Sequence, residues 1–278
     1  MLQPILSTYN KHERDDNLLF DEPTHTYTIL TDPDSKYTSV TTFNHSHFPH
    51  FDADKVIQNM MKGRNWNPQN KYWSMTPEEI KAQWAQNGAT VSGAGTELHF
   101  QIECFMNQDL PKGYTHQDLL QHYESNPPST INNSEEWDFF LQYIRASPHF
   151  KPYRTEWTIY DEDLKIAGSI DMVYENPDGT LNIYDWKRAK EISKANGFNK
   201  YAITEEISHL PDTNFWHYSL QLNTYKAILE KKYNKQIKDL YIVRLHPDHP
   251  KKTFQLIQCA NLSKEVQDLF ALRKRSLQ

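Results

Sequence analysis

KIAGSIDMVYENPDGTLNIYDWK, residues 165–187, is the stretch on which the fold turns. Two runs rich in β-branched and aromatic residues, 165–174 and 180–187, flank Glu175-Asn176-Pro177-Asp178-Gly179. Proline, aspartate and glycine in that order favour a tight turn, so the runs read as antiparallel neighbours. A turn centred on Pro177-Asp178 sets Asp171 opposite Tyr184 or Asp185, within reach of a cross-strand pair. Asp185 and Lys187 are two residues apart and project from one face. Aspartate is depleted in strands, so two in adjacent apolar runs call for a reason. One reason is a hard divalent cation held between carboxylates that would otherwise repel. Such an ion holds a phosphate oxygen and acidifies a bound water, with Lys187 beside it as a compact cation. Another is a surface hairpin with a salt bridge across it. These residues alone leave both open.

Outward from the hairpin, residues 154–161 make a third β-run, and the three form a short antiparallel meander. A helix is expected at about 214–233, then strands at 238–246 and 252–260, and a closing helix from Ser263. Upstream, the Thr/Tyr alternation around Asp32-Pro33-Asp34-Ser35 predicts a hairpin over 24–42. Short helices follow at about 52–62, opened by Asp52 or Asp54, and from Thr76-Pro77-Glu78-Glu79, a capping box with proline at the first helical position. Gly93 and Gly95 read as the lead-in to a separate helix at 95–107, with Leu98, Ile102 and Phe105 on one stripe. Residues 110–133, with Pro127-Pro128, read as connector, and Ser134-Glu135-Glu136 opens a helix ending before Pro148. This order predicts an α/β (α+β) fold with one central mixed sheet flanked by helices. The expected division is an N-terminal hairpin and helical elaboration at 1–90 packed on a core at 91–278.

Composition narrows the function. A net charge of −6 argues against a non-enzymatic nucleic-acid coat, whose affinity comes from lysine and arginine. It does not exclude a nucleic-acid enzyme, whose metal site needs carboxylates and whose substrate contacts are local. Two cysteines, Cys104 and Cys259, are too few for a four-cysteine zinc site or iron–sulfur cluster and read as buried thiols. There is no apolar run of spanning length and no signal-peptide or transit-peptide pattern at the N-terminus. The expectation is a soluble intracellular protein, with cytoplasm, nucleus and a virus-infected host equally open.

The motifs also resemble a known family. Gly168-Ser169-Ile170-Asp171, a tight turn and Asp185-Trp186-Lys187 are similar to the signature of the PD-(D/E)XK nuclease superfamily. Gly95-Thr96-Glu97-Leu98-His99 resembles the Gly-x-x-x-His helix of its RecB-like exonuclease branch, and Gln221-Leu222-Asn223-Thr224-Tyr225 its Gln-x-x-x-Tyr helix. Tyr37-Thr38-Ser39-Val40-Thr41 resembles a Ser-Val-Thr segment of the mitochondrial genome maintenance exonuclease group and of phage and viral relatives. The likeness covers about residues 24–246. Each motif is weak alone, and four in the family's order are strong.

The resemblance implies a restriction-endonuclease-like core and one or two Mg²⁺ or Mn²⁺ ions held by His99, Asp171, Asp185 and Trp186. It implies hydrolysis of DNA from free ends or on single strands, in repair, replication or recombination, alone or with a separate helicase or replication partner. Asp171, Asp185 and Lys187 would be catalytic, with Glu156 near the metal or its water and Gln221 and Tyr225 positioning Lys187 or a phosphate. Read without the family, His99 is an ordinary hydrogen-bonded helix residue, Glu103 one turn on is undecided, and Tyr225 is a core residue one turn from Gln221.

Arg188, Lys190, Lys194 and Lys200, interleaved with Phe198 and Tyr201, suit a groove that tracks a strand and stacks bases. They equally suit a solvated face. Ser39 and Ser92 are candidate phosphate contacts, and residues 62–73 a second basic and aromatic segment. His45, His47 and His50 lack cysteine partners and regular spacing, so a loop is expected rather than zinc. Two other readings stay open: a nuclease fold without activity that binds nucleic acid, and an endonuclease on structured DNA or RNA.

Overall fold

The structure is a computed structural model that describes residues 4–197 and 199–278. It divides into two compact units, one of residues 1–49 with 99–278, the other of residues 50–98. In chain order the first part comprises α1 (Ile5–Tyr9), β1 (Leu18–Asp21), β2 (Thr26–Ile29), β3 (Thr38–Ser39) and α2 (Val40–His45). Then come α3 (Ala53–Lys62), α4 (Pro77–Met106), α5 (His116–Ser125) and α6 (Glu135–Ala146). The remainder is β4 (Lys151–Asp161), β5 (Ile166–Glu175), β6 (Leu181–Lys187), α7 (Asn214–Lys232), β7 (Ile237–Arg244), β8 (Gln255–Gln258) and α8 (Ser263–Ser276).

The meander forms as its composition predicts. β5 pairs antiparallel with β4 on one edge and with β6 on the other, with Met172 opposite Tyr184. β6 then runs parallel to β7, β7 antiparallel to β8, and β3 parallel to the start of β5. The result is a six-stranded mixed sheet. β3 meets β5 only at Ile166 and Ala167, while β6 meets it only from Met172 onward. Gly168–Asp171 therefore have no strand partner on that edge among the described residues. The sheet is open at the Gly-x-x-Asp stretch.

Alternation along β6 decides what faces each side. Leu181 and Ile183 join the main core with Leu222, Tyr225 and Ile228 of α7. Tyr184 and Trp186 turn the other way, onto Tyr143 and Phe140 of α6 at ring distances of 6.2 and 5.7 Å. Each such side chain contributes about 1.5–3 kcal/mol on burial. Asp185 and Lys187 share the parity of Leu181 and Ile183, so they end the α7-facing row. α6 is amphipathic, burying Trp137, Phe140, Tyr143 and Ile144, and Ser134 caps it by accepting from Trp137 N at 3.2 Å. Acids in its first turn complement the helix dipole.

Several local expectations need correction. The hairpin over 24–42 lies earlier, as β1 and β2, and Thr38–Ser39 pair instead with β5. Asp32 explains the difference: it binds Ser35 Oγ and Tyr37 Oη and pairs with Lys165, so the segment is a shaped crossing rather than a ladder. Residues 110–133 are mostly connector, as expected, but enclose one helix. Thr115 and Asp118 form a capping box that opens α5. Gly93 and Gly95 do not precede a helix but lie inside α4, where nothing crowds a side chain at either position. Glycine lowers helix propensity by only about 1 kcal/mol, which flanking turns outweigh. Cys104 is exposed, because Leu98, Ile102 and Phe105 take the inward face of the helix and leave it outside. His45 closes α2 and so is not the loop residue expected, whereas His47 lies in the turn that follows, buried, with Nδ1 2.8 Å from Thr204 Oγ1. No helix among the described residues is long and apolar enough to cross a membrane.

Candidate active site

The gap beside Gly168–Asp171 is filled by side chains instead of backbone. Where β6 no longer pairs with β5, Trp186 N donates to the Asp171 carboxylate at 3.0 Å. His99, in the last turns of α4, sets one ring nitrogen, Nε2, 2.9 Å from the Trp186 carbonyl oxygen. A carbonyl only accepts, so Nε2 carries a proton, which in the neutral ring leaves the lone pair on Nδ1. Nδ1 lies 3.6 Å from Asp171 Oδ2 and 4.0 Å from Glu156 Oε1.

Glu156 is placed there at a backbone cost. Its neighbours pair with β5, Thr155 with Met172 and Trp157 with Ile170, so it stands across from Asp171. Its own φ is 42°, a left-handed conformation that disfavours side-chain-bearing residues by about 1–3 kcal/mol. Ser169 Oγ donates to Glu156 Oε2 at 3.0 Å and holds the carboxylate in place.

His99, Glu156 and Asp171 offer one ligand atom each, all within 4.8 Å of one another. Two carboxylates and an imidazole lone pair suit a hard or borderline divalent cation. The electrostatics agree. Burial and then the Asp171 charge push the Glu156 carboxyl up to about 8. Burial also pushes Asp185 up to about 6, with Lys187 opposing and Asp171 adding to the rise. This is a site short of positive charge.

Asp185 stands beside this cluster rather than within the group of three. Its side chain is 3% exposed, and Lys187 Nζ lies 2.7 Å from Oδ2. Burial would lower the Lys187 pKa, but Asp185 and Asp171 outweigh it and hold the amine well above its usual value. Tyr218 of α7, which motif reading passed over, puts its ring 4.9 Å below that ammonium. Its only sequence signal is its place one helical turn before Gln221.

Gln221 Nε2 donates to Tyr225 Oη at 3.2 Å. Tyr225 is the reason for Gly168. A Cβ at that position would sit 2.9 Å from Tyr225 Cε1 and 3.1 Å from Val40 Cγ2. Gly168→Ala should cost about 1–3 kcal/mol through overpacking, measured by urea denaturation. An unchanged midpoint would mean that the ring has room to move.

The other candidates are dispersed. Trp186 contributes its backbone groups, and its carbonyl is already engaged by His99. Glu103 lies on α4 outside the group of three, its carboxyl raised by burial and then by Glu22. Arg188 is held by Glu136 at 2.7 Å, Lys190 is an exposed partner of Asp248 at 3.3 Å, and Lys194 lies 4.6 Å over Phe215. Lys200 shapes its loop, with its main-chain groups bonded to Asn196 and Asp212. Phe198 lies outside the described residues. Ser39 caps α2 by accepting from Thr42 N at 3.0 Å. Ser92 is an exposed residue of the other compact unit, to which residues 62–73 also belong, with Trp66 and Trp73 packed at 5.6 Å.

The mixed sheet thus opens at an acidic strand, and a lysine stands two residues beyond the second aspartate on the neighbouring strand. The family model of the PD-(D/E)XK nuclease superfamily matches residues 108–276, and the chain belongs to that superfamily. Nucleases of this class use divalent metals and act on nucleic acid. Among solved structures, the chain is similar to a "Putative exonuclease" from Eubacterium rectale, with 11% identity over 87% of this chain and 78% of that one and a TM-score of 0.39. It is also similar to SSO0001, with 12% identity over 87% and 76% and a TM-score of 0.28. No curated protein matches.

Proposed function

We propose that this chain is a metal-dependent DNA exonuclease of the RecB-like branch, similar to the mitochondrial genome maintenance exonuclease group and its phage and viral relatives. The observation that carries the reading is the convergence of His99, Glu156 and Asp171 beside the Asp185–Lys187 pair. Residues 91–278, which contain the matched residues, are read as the nuclease core, with 1–90 as an elaboration from which β3 joins the sheet.

Mg²⁺ or Mn²⁺, one ion or two, would supply Lewis-acid charge to a phosphate oxygen and to the attacking water. His99, Glu156 and Asp171 would hold it, with Asp185 as the adjacent carboxylate. The Trp186 carbonyl fixes the tautomer that leaves His99 Nδ1 free to bind. Lys187, protonated and clamped between Asp185 and the Tyr218 ring, is a fixed cation for the charge that develops on the phosphate. Gln221 and Tyr225 brace the Gly168 strand on which Asp171 sits. Lys190 and Lys194 are read as strand contacts, and Arg188 joins them only if it leaves Glu136.

The exonuclease mode is tested by offering the same sequence as a linear end-labelled strand and as a closed circle. Linear DNA should be degraded and the circle spared, and the position of the label gives polarity. Equal cutting of the circle would replace this reading with an endonuclease.

A further inference from the structure

The compact unit of residues 50–98 concentrates positive charge in an acidic chain. From Lys55 to Pro77 there is no aspartate or glutamate, while Lys55, Lys62, Arg64 and Lys71 all fall within that run. In a chain of net charge −6 this is a local cationic surface, of the kind that draws a polyanion whatever the overall balance. Lys62, Arg64 and Lys71 are exposed, and among the described residues none of them pairs with a carboxylate. The hydrolytic centre uses none of them.

Aromatic rings are interleaved with these charges. Trp73 is 41% exposed, and Trp66 meets it at a tilt of 52°, so among the described residues no ring lies flat against it. Lys71 Nζ lies 5.2 Å from the centre of the Tyr72 ring. Tyr72 packs edge-on against Trp84 at 5.9 Å, and Trp84 meets Phe51, itself 65% exposed, at 6.1 Å. The backbone that carries Trp66 and Trp73 is shaped by successive turns: Trp66 N donates to Gly63 O at 3.1 Å, Asn70 N to Asn67 O at 2.8 Å, and Trp73 N to Asn70 O at 3.0 Å. Asn70 adds its side chain, donating to Asn65 O and accepting from Tyr72 N, both at 2.9 Å. A loop ordered in this way loses little further freedom when a ligand settles on it.

Unpaired cations alone would suit any polyanion. An exposed ring among them selects one whose bases are free to stack, which a duplex, with its bases stacked on one another, is not. We infer that this surface docks single-stranded nucleic acid, with phosphates on Lys62, Arg64 and Lys71 and a base stacked on Trp73. The inference rests on the nuclease reading for its ligand and gives that enzyme a strand contact built from none of the residues of its hydrolytic centre.

The test is binding to the full chain without metal, so that nothing is cleaved. Fluorescence anisotropy follows labelled oligothymidylate, an abasic strand of the same length and the corresponding duplex. Trp73→Ala removes the stacking ring. Lys62→Gln, Arg64→Gln and Lys71→Gln together remove charge from exposed side chains that have no ion pair to lose. Thermal melts establish that each variant is folded. Wild type should prefer the intact strand to the abasic one, a comparison that needs no variant. Trp73→Ala should weaken oligothymidylate binding about fivefold or more and leave the abasic strand unchanged. The triple variant should weaken both strands and lower the slope of log affinity against log salt by about two. Unchanged binding in either variant, equal loss on intact and abasic strands in Trp73→Ala, or a duplex bound as tightly as the single strand overturns the inference. Cleavage of DNA by wild type with Mn²⁺ would then leave the nuclease reading standing. Strand binding with the expected losses but no cleavage would remove that reading and leave this surface in place.

Discussion

Asp171→Asn is expected to slow DNA cleavage by at least about 10²–10³-fold while raising the stability of the metal-free protein. The substitution keeps an acceptor for Trp186 N, so the β5–β6 junction survives. It removes the charge that pushes both Glu156 and Asp185 upward. The chemistry loses a ligand, and the fold loses a repulsion. Single-turnover cleavage with Mg²⁺ and a melt at pH 8 without metal measure the two effects. A variant both slower and less stable would mean that Asp171 is chiefly a structural hydrogen-bond acceptor.

The second large effect is the pH response of Glu156. In the folded protein its proton is retained up to about pH 8, whereas the unfolded chain ionises it near 4.5. Between those values the folded state carries the extra proton. The stability it contributes is therefore full below the lower value and lost as pH rises through the upper. Asp185, raised to about 6, acts the same way at lower pH. Buried His116, lowered to about 3 by burial between Ser147 and Tyr174, acts oppositely, chiefly below its ordinary value of 6.5. Burial also lowers His12, His45, His47, His246 and His249, and an unfolded histidine still holds part of its proton for about a unit above 6.5, so the carboxylate effect stands clear of them only from about pH 7.5 to 8.5. Metal-free wild type should lose roughly a few °C of melting temperature across that range, moderated because about a third of the Glu156 side chain is exposed. Mn²⁺ should restore it most at the upper end. Glu156→Gln should flatten the slope and blunt the metal response. A wild-type slope that is flat or rising would refute the crowding of the carboxylates.

The parts of the site written in local sequence were legible. Asp171, Asp185 and Lys187 lie within one hairpin, so strand period and turn chemistry place them together. What escaped depends on partners far along the chain. The engagement of Arg188 by Glu136 spans 52 positions, and no pattern near residue 188 announces it. The left-handed backbone of Glu156 has no glycine to mark it, and its placement follows from the β4–β5 pairing. α4 was broken in the reading because glycines usually punctuate helices, yet those at 88, 93 and 95 meet nothing that demands them. α5 was missed although Thr115 and Asp118 form the same capping pattern that marked the start of α4. There the density of polar residues and the following prolines obscured a clear start signal.

The central claim is that these residues form the hydrolytic centre of a metal-dependent nuclease. Its most direct test is the cleavage of end-labelled single- and double-stranded DNA with Mg²⁺ or Mn²⁺ by wild type, Lys187→Ala and Asp185→Ala. The account predicts metal-dependent degradation by wild type and loss of it in both variants, with DNA binding retained. Wild type that binds DNA and never cuts it with either metal, or variants that cut as well as wild type, would contradict it.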